Sequence, residues 1–82
     1  MSYEELLETV LNSVKEVLNT KDFIDSNVQF IDIPTFDSMS LFMLVSSIEA
    51  QLEFTIPPDL LTPDVFKSPA SIVEAVLPIY KN

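Results

Sequence analysis

The six prolines, in a chain of 82 residues that contains no glycine, separate the segments that can be helical from those that cannot. Proline removes a backbone donor and disfavours helix at the preceding residue, so Pro34 and the pair Pro57 and Pro58 mark breaks between helices. Pro63 and Pro69 each follow a Thr or Ser and fit the first helical position after an N-cap. Without glycine, we expect asparagine or another residue to occupy the left-handed position at helix ends.

Two long segments between these breaks have the spacing of amphipathic helices. Residues 3–19 repeat apolar side chains at every third or fourth position, and Ser2 with Glu5 fits a capping box at the start. Residues 38–52 keep the same spacing, with Asp37 well placed as the N-cap. We predict one helix in each segment.

The remaining segments are a long connection and a proline-rich end. Residues 20–36 alternate weakly, and we interpret them as an ordered loop anchored to the core by apolar side chains, with a short strand as the alternative. These side chains are Phe23, Ile24, Val28, Phe30, Ile31 and Ile33. We predict a short third helix over 63–66 and a fourth over 69–77. The fold class is therefore all-α: a small bundle of three main helices plus one short helix, in a single domain over residues 1–82.

The charge of the chain restricts its partners. Thirteen acidic and four basic residues give a formal net charge of -9 at pH 7, which repels nucleic acid phosphates and anionic lipid headgroups. We therefore expect no nucleic acid and no membrane partner, and we favour protein partners with lysine or arginine patches. The first residues are acidic, and the apolar runs are too short for a signal peptide or a membrane span. The sequence predicts a cytoplasmic protein.

The absence of histidine and cysteine excludes several enzyme classes. Ser-His-Asp and Cys-His catalysis both need a base that the chain lacks, and a cysteine-based zinc site needs thiolates. The lysines are scattered with no glycine-rich loop nearby, so a nucleotide site is not supported. Asp22, Asp25 and Asp32 lack the central glycine and the terminal glutamate of a calcium loop, and we interpret them as a solvated acidic loop. The sequence predicts neither an independent enzyme nor a metal site.

Steps of 100° along the second helix place its apolar residues on two sides. The side predicted to face the core carries Leu41, Leu44, Val45, Ile48 and Leu52. The opposite side carries Met39, Phe42, Met43 and Ser46, flanked by Asp37, Glu49 and Glu53. Two interpretations are open. In the first, the loop 20–36 or the short third helix covers some of these side chains. In the second, they form a contact patch for partner proteins, because flexible methionine surfaces adapt to several partners.

Ser38 lies in the first predicted turn of this helix, directly after Asp37. Backbone N–H groups and the positive end of the helix dipole favour a phosphate or phosphodiester on its hydroxyl there. Since the chain has no internal base to activate this serine, another protein must attach such a group. The alternative is that Asp37 and Ser38 only cap the helix, a common role for both residue types.

The string FDSMSLFMLVSSIEAQLEFTIP, residues 36–57, resembles the acyl carrier protein family, in which a modified Asp-Ser-Leu opens the second helix and Ile-Pro follows it. Asp37, Ser38, Ile56 and Pro57 fall into that pattern without a gap, and the helix order covers essentially the whole chain. The resemblance implies that Ser38 carries 4′-phosphopantetheine, transferred from coenzyme A by a phosphopantetheinyl transferase. The terminal thiol of that group holds an acyl or aminoacyl cargo as a thioester.

The resemblance also implies how the site is used. Asp37 lies beside the cofactor, and the second helix is presented to partner enzymes through Met39, Phe42, Met43, Ser46 and Glu49. The partners implied are the transferase, an acyl- or aminoacyl-loading enzyme, and downstream synthase or tailoring enzymes. The family further implies a monomer.

The chain departs from the family at several positions. Glycine usually stands just before the aspartate, whereas here the turn is formed by residues 34–36, and Met39 replaces the usual leucine. Ser40, Met43 and Ala50 stand where many fatty acid carriers have acids, so docking is expected to depend more on apolar contact. These departures favour a free-standing acyl carrier of a specialised polyketide or fatty-acyl pathway. A peptidyl or aminoacyl carrier of a nonribosomal-peptide-type pathway is the first alternative, and an unmodified helical adaptor is the second.

Overall fold

A computed structural model describes residues 2–80 and places them in an all-helical fold, with no strand among the described residues. Three α-helices form the frame: α1 (Tyr3–Leu18), α2 (Ser38–Leu52) and α3 (Pro69–Val76). Three single turns of 3₁₀ helix lie in the connections, at Phe30–Asp32, Pro58–Leu60 and Val65–Lys67. The predicted all-α class is confirmed.

The ends of α1 and α2 form without glycine. At the start of α1, the Ser2 N–H donates to Glu5 Oε1 at 2.9 Å and the Glu5 N–H donates to Ser2 Oγ at 3.2 Å, which confirms the capping box. Helix α1 ends at Asn19, whose φ of 55° is left-handed, as expected where glycine is absent. Helix α2 ends at Glu53, with φ 52°. A glutamate in this conformation carries the steric cost that glycine avoids, so neighbouring contacts must hold it there.

The core lies where α1 packs against both α2 and α3. Its buried hydrophobic residues are Leu6, Val10, Val14, Phe30, Leu44, Ile48, Leu52, Ile56, Phe66, Ile72, Val73 and Val76. Fully burying one such aliphatic or aromatic side chain contributes about 1.5–3 kcal/mol. Leu41 and Val45, also predicted on the core side of α2, are half-buried at its edge. The predicted division of α2 into an inner and an outer side is confirmed.

The connection over residues 20–36 is an ordered loop with one turn of 3₁₀ helix rather than a strand. It is fixed at Ser26, whose carbonyl accepts the Ala70 N–H at 2.9 Å, and at Phe30, which is buried and stacks on Phe36 with a ring-centroid distance of 4.5 Å. Two predicted anchors are wrong, because Phe23 and Ile31 are 85% and 87% exposed. With three residues per turn, the 3₁₀ segment that points Phe30 inward turns its neighbour outward.

The proline-rich end contains the predicted fourth helix, which is α3, and a short 3₁₀ turn before it. Ser68 and Ser71 cap α3 reciprocally, and Pro69 occupies its first turn, as predicted. The short helix predicted over 63–66 forms as a single turn: Thr62 Oγ1 accepts the Val65 N–H at 3.3 Å, as expected of the predicted N-cap, and the Thr62 carbonyl accepts the Phe66 N–H at 3.0 Å. The 3₁₀ segment Val65–Lys67 ends one residue beyond the predicted range. Phe66 has φ −95° and ψ 42°, which stops helix propagation, because the chain must reach an extended Ser68 to cap α3.

Candidate functional site

The N-terminal end of α2 is organised by the carboxylate of Asp37. Asp37 is the N-cap, as predicted, and its Oδ1 accepts the Ser40 N–H at 2.9 Å and lies 3.1 Å from the Ser40 hydroxyl. The backbone N–H of Ser40, and then its hydroxyl, hold the pKa of Asp37 below its ordinary value of 3.8. The start of α2 therefore carries an ionised carboxylate at neutral pH, at the helix end where negative charge is favourable.

Two serines occupy the first turn of α2, and the structure treats them differently. Ser38 is the first residue of the helix and is exposed, and within residues 2–80 its side chain makes no hydrogen bond. The hydroxyl of Ser40 is half-buried and donates toward the Thr35 carbonyl at 3.3 Å or toward Asp37 at 3.1 Å. Within residues 2–80, Ser38 thus carries the accessible, unbonded hydroxyl of this turn, since the Ser40 proton is already used within the chain.

The turn before α2 forms without the glycine that the family resemblance leads one to expect. The Phe36 N–H donates to the Ile33 carbonyl at 3.0 Å, and the Phe36 ring stacks on Phe30. Among residues 2–80, positive φ occurs only at Asn19 and Glu53, so residues 34–37 need no left-handed conformation. Aromatic packing onto the core thereby sets the entry of the chain into α2.

The outer side of α2 presents an apolar surface, here called the α2 patch and defined by Met39, Phe42, Met43 and Ser46. Met39 is 65% exposed, Phe42 67% and Met43 47%, and Ser46 is also exposed. Of the two interpretations drawn from the sequence, cover by the loop 20–36 or by the short third helix is wrong. The stretch 38–48 contains no charged residue, although the chain as a whole carries a net charge of -9. An exposed, uncharged patch with two methionines is typical of a protein contact surface.

Glu49 has a structural task that the sequence did not indicate. Its side chain is half-buried, and its Oε2 accepts the Ile56 N–H at 2.8 Å. Its carbonyl accepts the N–H groups of Glu53 and Phe54. Glu49 therefore supports the left-handed Glu53 and fixes Ile56 in the core, and one oxygen of the carboxylate that was predicted to contact partners is already bonded within the chain.

A polar cluster between α1 and α2 was also missed. Ser13 is fully buried, and its hydroxyl accepts from Gln51 Nε2 at 2.7 Å and lies 3.1 Å from Ser47 Oγ. Ser47 Oγ lies 2.7 Å from Glu16 Oε1. The one available signal was the position of Ser13 beside Val10 and Val14 on the inner side of α1, which demands a hydrogen-bond partner for its hydroxyl.

Two further features of the described residues concern metals and membranes. Residues 2–80 contain no group of three or more His, Cys, Asp or Glu side chains that could hold a metal ion. In the acidic loop, the Asp25 carboxylate accepts the Asn27 N–H at 2.8 Å and stabilises a local turn. No helix in the same part of the chain combines the length and the apolar character needed to span a membrane.

Comparison with known proteins finds a family model that matches the chain. The family model described as "Phosphopantetheine attachment site" matches residues 8–76, which is most of the chain and includes all of α2. No curated protein and no solved structure matches the chain significantly.

Proposed function

Because the chain belongs to the phosphopantetheine attachment family, whose members covalently carry 4′-phosphopantetheine, we propose that Ser38 is the residue that carries this group. The observation that supports this choice is the contrast within one helical turn: Ser38 is exposed and unbonded within residues 2–80, whereas the Ser40 hydroxyl donates to Thr35 or Asp37. Domains of this family are carriers rather than catalysts, so the chain is a carrier and not an enzyme.

The residues at the start of α2 fit the attachment reaction. The Ser38 oxygen bonds to the phosphorus of coenzyme A that bears the pantetheine, and the bond from that phosphorus to adenosine 3′,5′-bisphosphate breaks. The hydroxyl proton passes to a base of the transferase, because the chain contains no histidine or cysteine and the neighbouring Asp37 carboxylate, whose pKa is lowered, is a weak base. The phosphodiester that results lies at the N-terminal end of a 15-residue helix, where the dipole favours its negative charge. When bound, the group supplies the thiol that holds a cargo as a thioester.

The α2 patch is the proposed docking surface for the transferase, the loading enzyme and the downstream synthase or tailoring enzymes. This proposal is supported by the exposure of Met39, Phe42 and Met43 close to Ser38 along the chain. Ser46 lies on the same side, and Glu49 contributes at the edge of the patch through the carboxylate oxygen not used by Ile56. Since the stretch 38–48 is uncharged, we expect apolar contact to supply most of the affinity.

The proposed cargo is an acyl chain of a specialised polyketide or fatty-acyl pathway. The support is the aliphatic core between the helices, because a long acyl chain placed there gains about 0.8 kcal/mol for each buried CH₂. Octanoyl loading of the carrier should therefore raise its Tm relative to acetyl loading. An unchanged Tm would instead favour a peptidyl or aminoacyl carrier, whose short polar cargo gains little from burial.

The experiment that tests the attachment site is intact-mass measurement after incubation with coenzyme A, Mg²⁺ and a broad-specificity phosphopantetheinyl transferase. The wild type should gain the mass of one phosphopantetheine, and Ser38→Ala should gain none although Ser40 is still present. Loading of Ser38→Ala would show that another serine is the acceptor. No loading of the wild type by several transferases would favour the unmodified adaptor, for which Ser38→Ala leaves partner binding intact and Met43→Asp abolishes it.

A further inference from the structure

Ser40, the second serine in the first turn of α2, forms a link across the proposed attachment site. Its side-chain oxygen lies 3.3 Å from the Thr35 carbonyl oxygen and 3.1 Å from Asp37 Oδ1, and its N–H donates to the same Oδ1 at 2.9 Å. A hydroxyl has one proton, so Ser40 donates to one acceptor at a time or shares the proton between them. Either arrangement ties the first turn of α2 to the segment before it.

This link closes a short segment of chain that contains Ser38. One end of the segment, Thr35, precedes Phe36, whose ring is fixed on the buried Phe30. The other end is Ser40, inside α2. Ser38 lies between these two fixed points and is exposed, so its backbone position depends on how firmly the segment is closed.

We propose that Ser40 is a positioning residue for the modification of Ser38, because its hydroxyl holds residues 35–37 and the Asp37 carboxylate in the arrangement that presents the Ser38 hydroxyl to the transferase. This inference rests on the proposed attachment site and deepens it. Group transfer depends steeply on the fraction of encounters in which the reacting atoms are aligned. Ser40 raises that fraction without contacting coenzyme A and without adding to the docking surface.

The position of Ser40 also explains a departure from the acyl carrier pattern. An acid at position 40, as in many fatty acid carriers, would place a second carboxylate beside Asp37 and could not donate a proton to it at neutral pH. A serine can donate its one hydroxyl proton to either the carboxylate or the Thr35 carbonyl. In this chain the Ser40 hydroxyl links α2 to the Asp37 carboxylate and the Thr35 carbonyl, beside a turn that contains no glycine.

The test compares Ser40→Ala, Ser40→Thr and Ser40→Asp with the wild type in the transferase reaction. Intact mass measured over time, at several carrier concentrations, gives kcat and KM for each variant. Thr55→Ala, which removes an exposed hydroxyl after α2, is the matched control and should behave as the wild type. We expect Ser40→Ala to lower kcat about two- to tenfold, the factor to which one ordinary hydrogen bond corresponds, with KM for the carrier unchanged. Ser40→Thr should restore kcat to within about twofold, because it keeps the hydroxyl.

The outcomes separate this inference from the proposed function. Ser40→Asp should lower kcat at least as much as Ser40→Ala, since it loses the donor and adds a like charge. An unchanged kcat in Ser40→Ala, a loss confined to KM, or failure of Ser40→Thr to restore the rate would overturn the positioning role while leaving Ser38 as the attachment site. Absence of any loading in the wild type would overturn the attachment site itself.

Discussion

Helices α1 and α2 are nearly equal in length and pack against each other, yet their outer sides are built in opposite ways. Every exposed residue within α1 is charged or polar, namely Glu4, Glu5, Glu8, Asn12 and Glu16. The exposed residues of α2 include no charge, and three of them are Met39, Phe42 and Met43. Both helices bury an aliphatic inner side in the same core. The difference therefore lies entirely in the surface that each helix offers to solvent.

This difference distinguishes the inner sides, which form the core, from the outer side of α2, whose apolar residues are not part of that core. The inner sides of both helices are buried in the core, and the outer side of α1 has the composition expected of a solvated helix. The apolar outer side of α2 leaves much of Met39, Phe42 and Met43 exposed, and such a surface makes association with other proteins more favourable. Such a surface on the helix that begins at Ser38 is consistent with a docking role.

The largest effect should come from the inner side of α2. We expect Ile48→Ala to lower the free energy of unfolding by about 2–5 kcal/mol, because Ile48 is fully buried and the substitution leaves a cavity. Met43→Ala on the outer side should change it by no more than about 0.5 kcal/mol. Urea unfolding at equilibrium measures both. Similar losses in the two variants would mean that the outer side also contributes to folding.

Glu49, at the boundary between the two sides, should give the next largest effect on stability. Glu49→Ala removes the acceptor of the Ile56 N–H and weakens the turn at Glu53, and we expect a loss of about 1–3 kcal/mol in urea unfolding. Glu74→Ala, at an exposed position of α3, is the matched control and should stay within about 0.5 kcal/mol of the wild type. If Glu49→Ala were as stable as the control, the Glu49 carboxylate would not contribute to the stability of the fold.

Exchanging the character of the outer sides tests the docking role directly. Met43→Glu gives α2 a charge of the kind found on α1, and we expect it to lower kcat/KM for phosphopantetheine transfer by about tenfold, or about 1.4 kcal/mol. Glu8→Met makes the reverse change on α1 and should leave the rate unchanged. Thermal unfolding of both variants checks that the fold is retained. Equal rates for wild type and Met43→Glu would remove Met43 from the docking surface.

The smallest effect concerns the pH dependence of the α2 cap. The pKa of Asp37 is lowered in the folded chain, so its contribution to stability is fully present above its ordinary value of 3.8 and is lost as the pH falls through the folded pKa. Asp37→Asn keeps a capping side chain that does not titrate. The stability of the wild type relative to Asp37→Asn should therefore be constant well above pH 3.8 and fall as the pH is lowered below that value, as measured by urea unfolding at each pH. A stability difference between the two proteins that does not change with pH would contradict a lowered pKa for Asp37 in the folded chain.

Local patterns in the sequence predicted most of the helical frame. The apolar spacing gave α1 and α2 to within a residue, and the caps at Ser2, Asp37 and Ser68 formed as expected. The outward direction of Met39, Phe42 and Met43 also followed from helical geometry. These predictions succeeded because helix periodicity and capping depend on residues within one or two turns of each other.

The loop showed where local patterns fail. Phe30 and Ile31 are adjacent and equally apolar, yet the first is 4% exposed and the second 87%. Weak alternation could not choose between them, since the choice depends on where the loop meets α3 and the ring of Phe36.

The sequence by itself determined that the chain is helical, where its two long helices begin, and that an Asp-Ser pair opens the second one. Only the tertiary structure decided that the Ser40 hydroxyl is used within the chain while Ser38 is exposed, that Glu49 supports the turn after α2, and that Ser13 joins α1 to α2. Side-chain hydrogen bonds of this kind depend on distances set by packing. Helix periodicity fixes which side of a helix a residue occupies but does not specify which distant atom it meets.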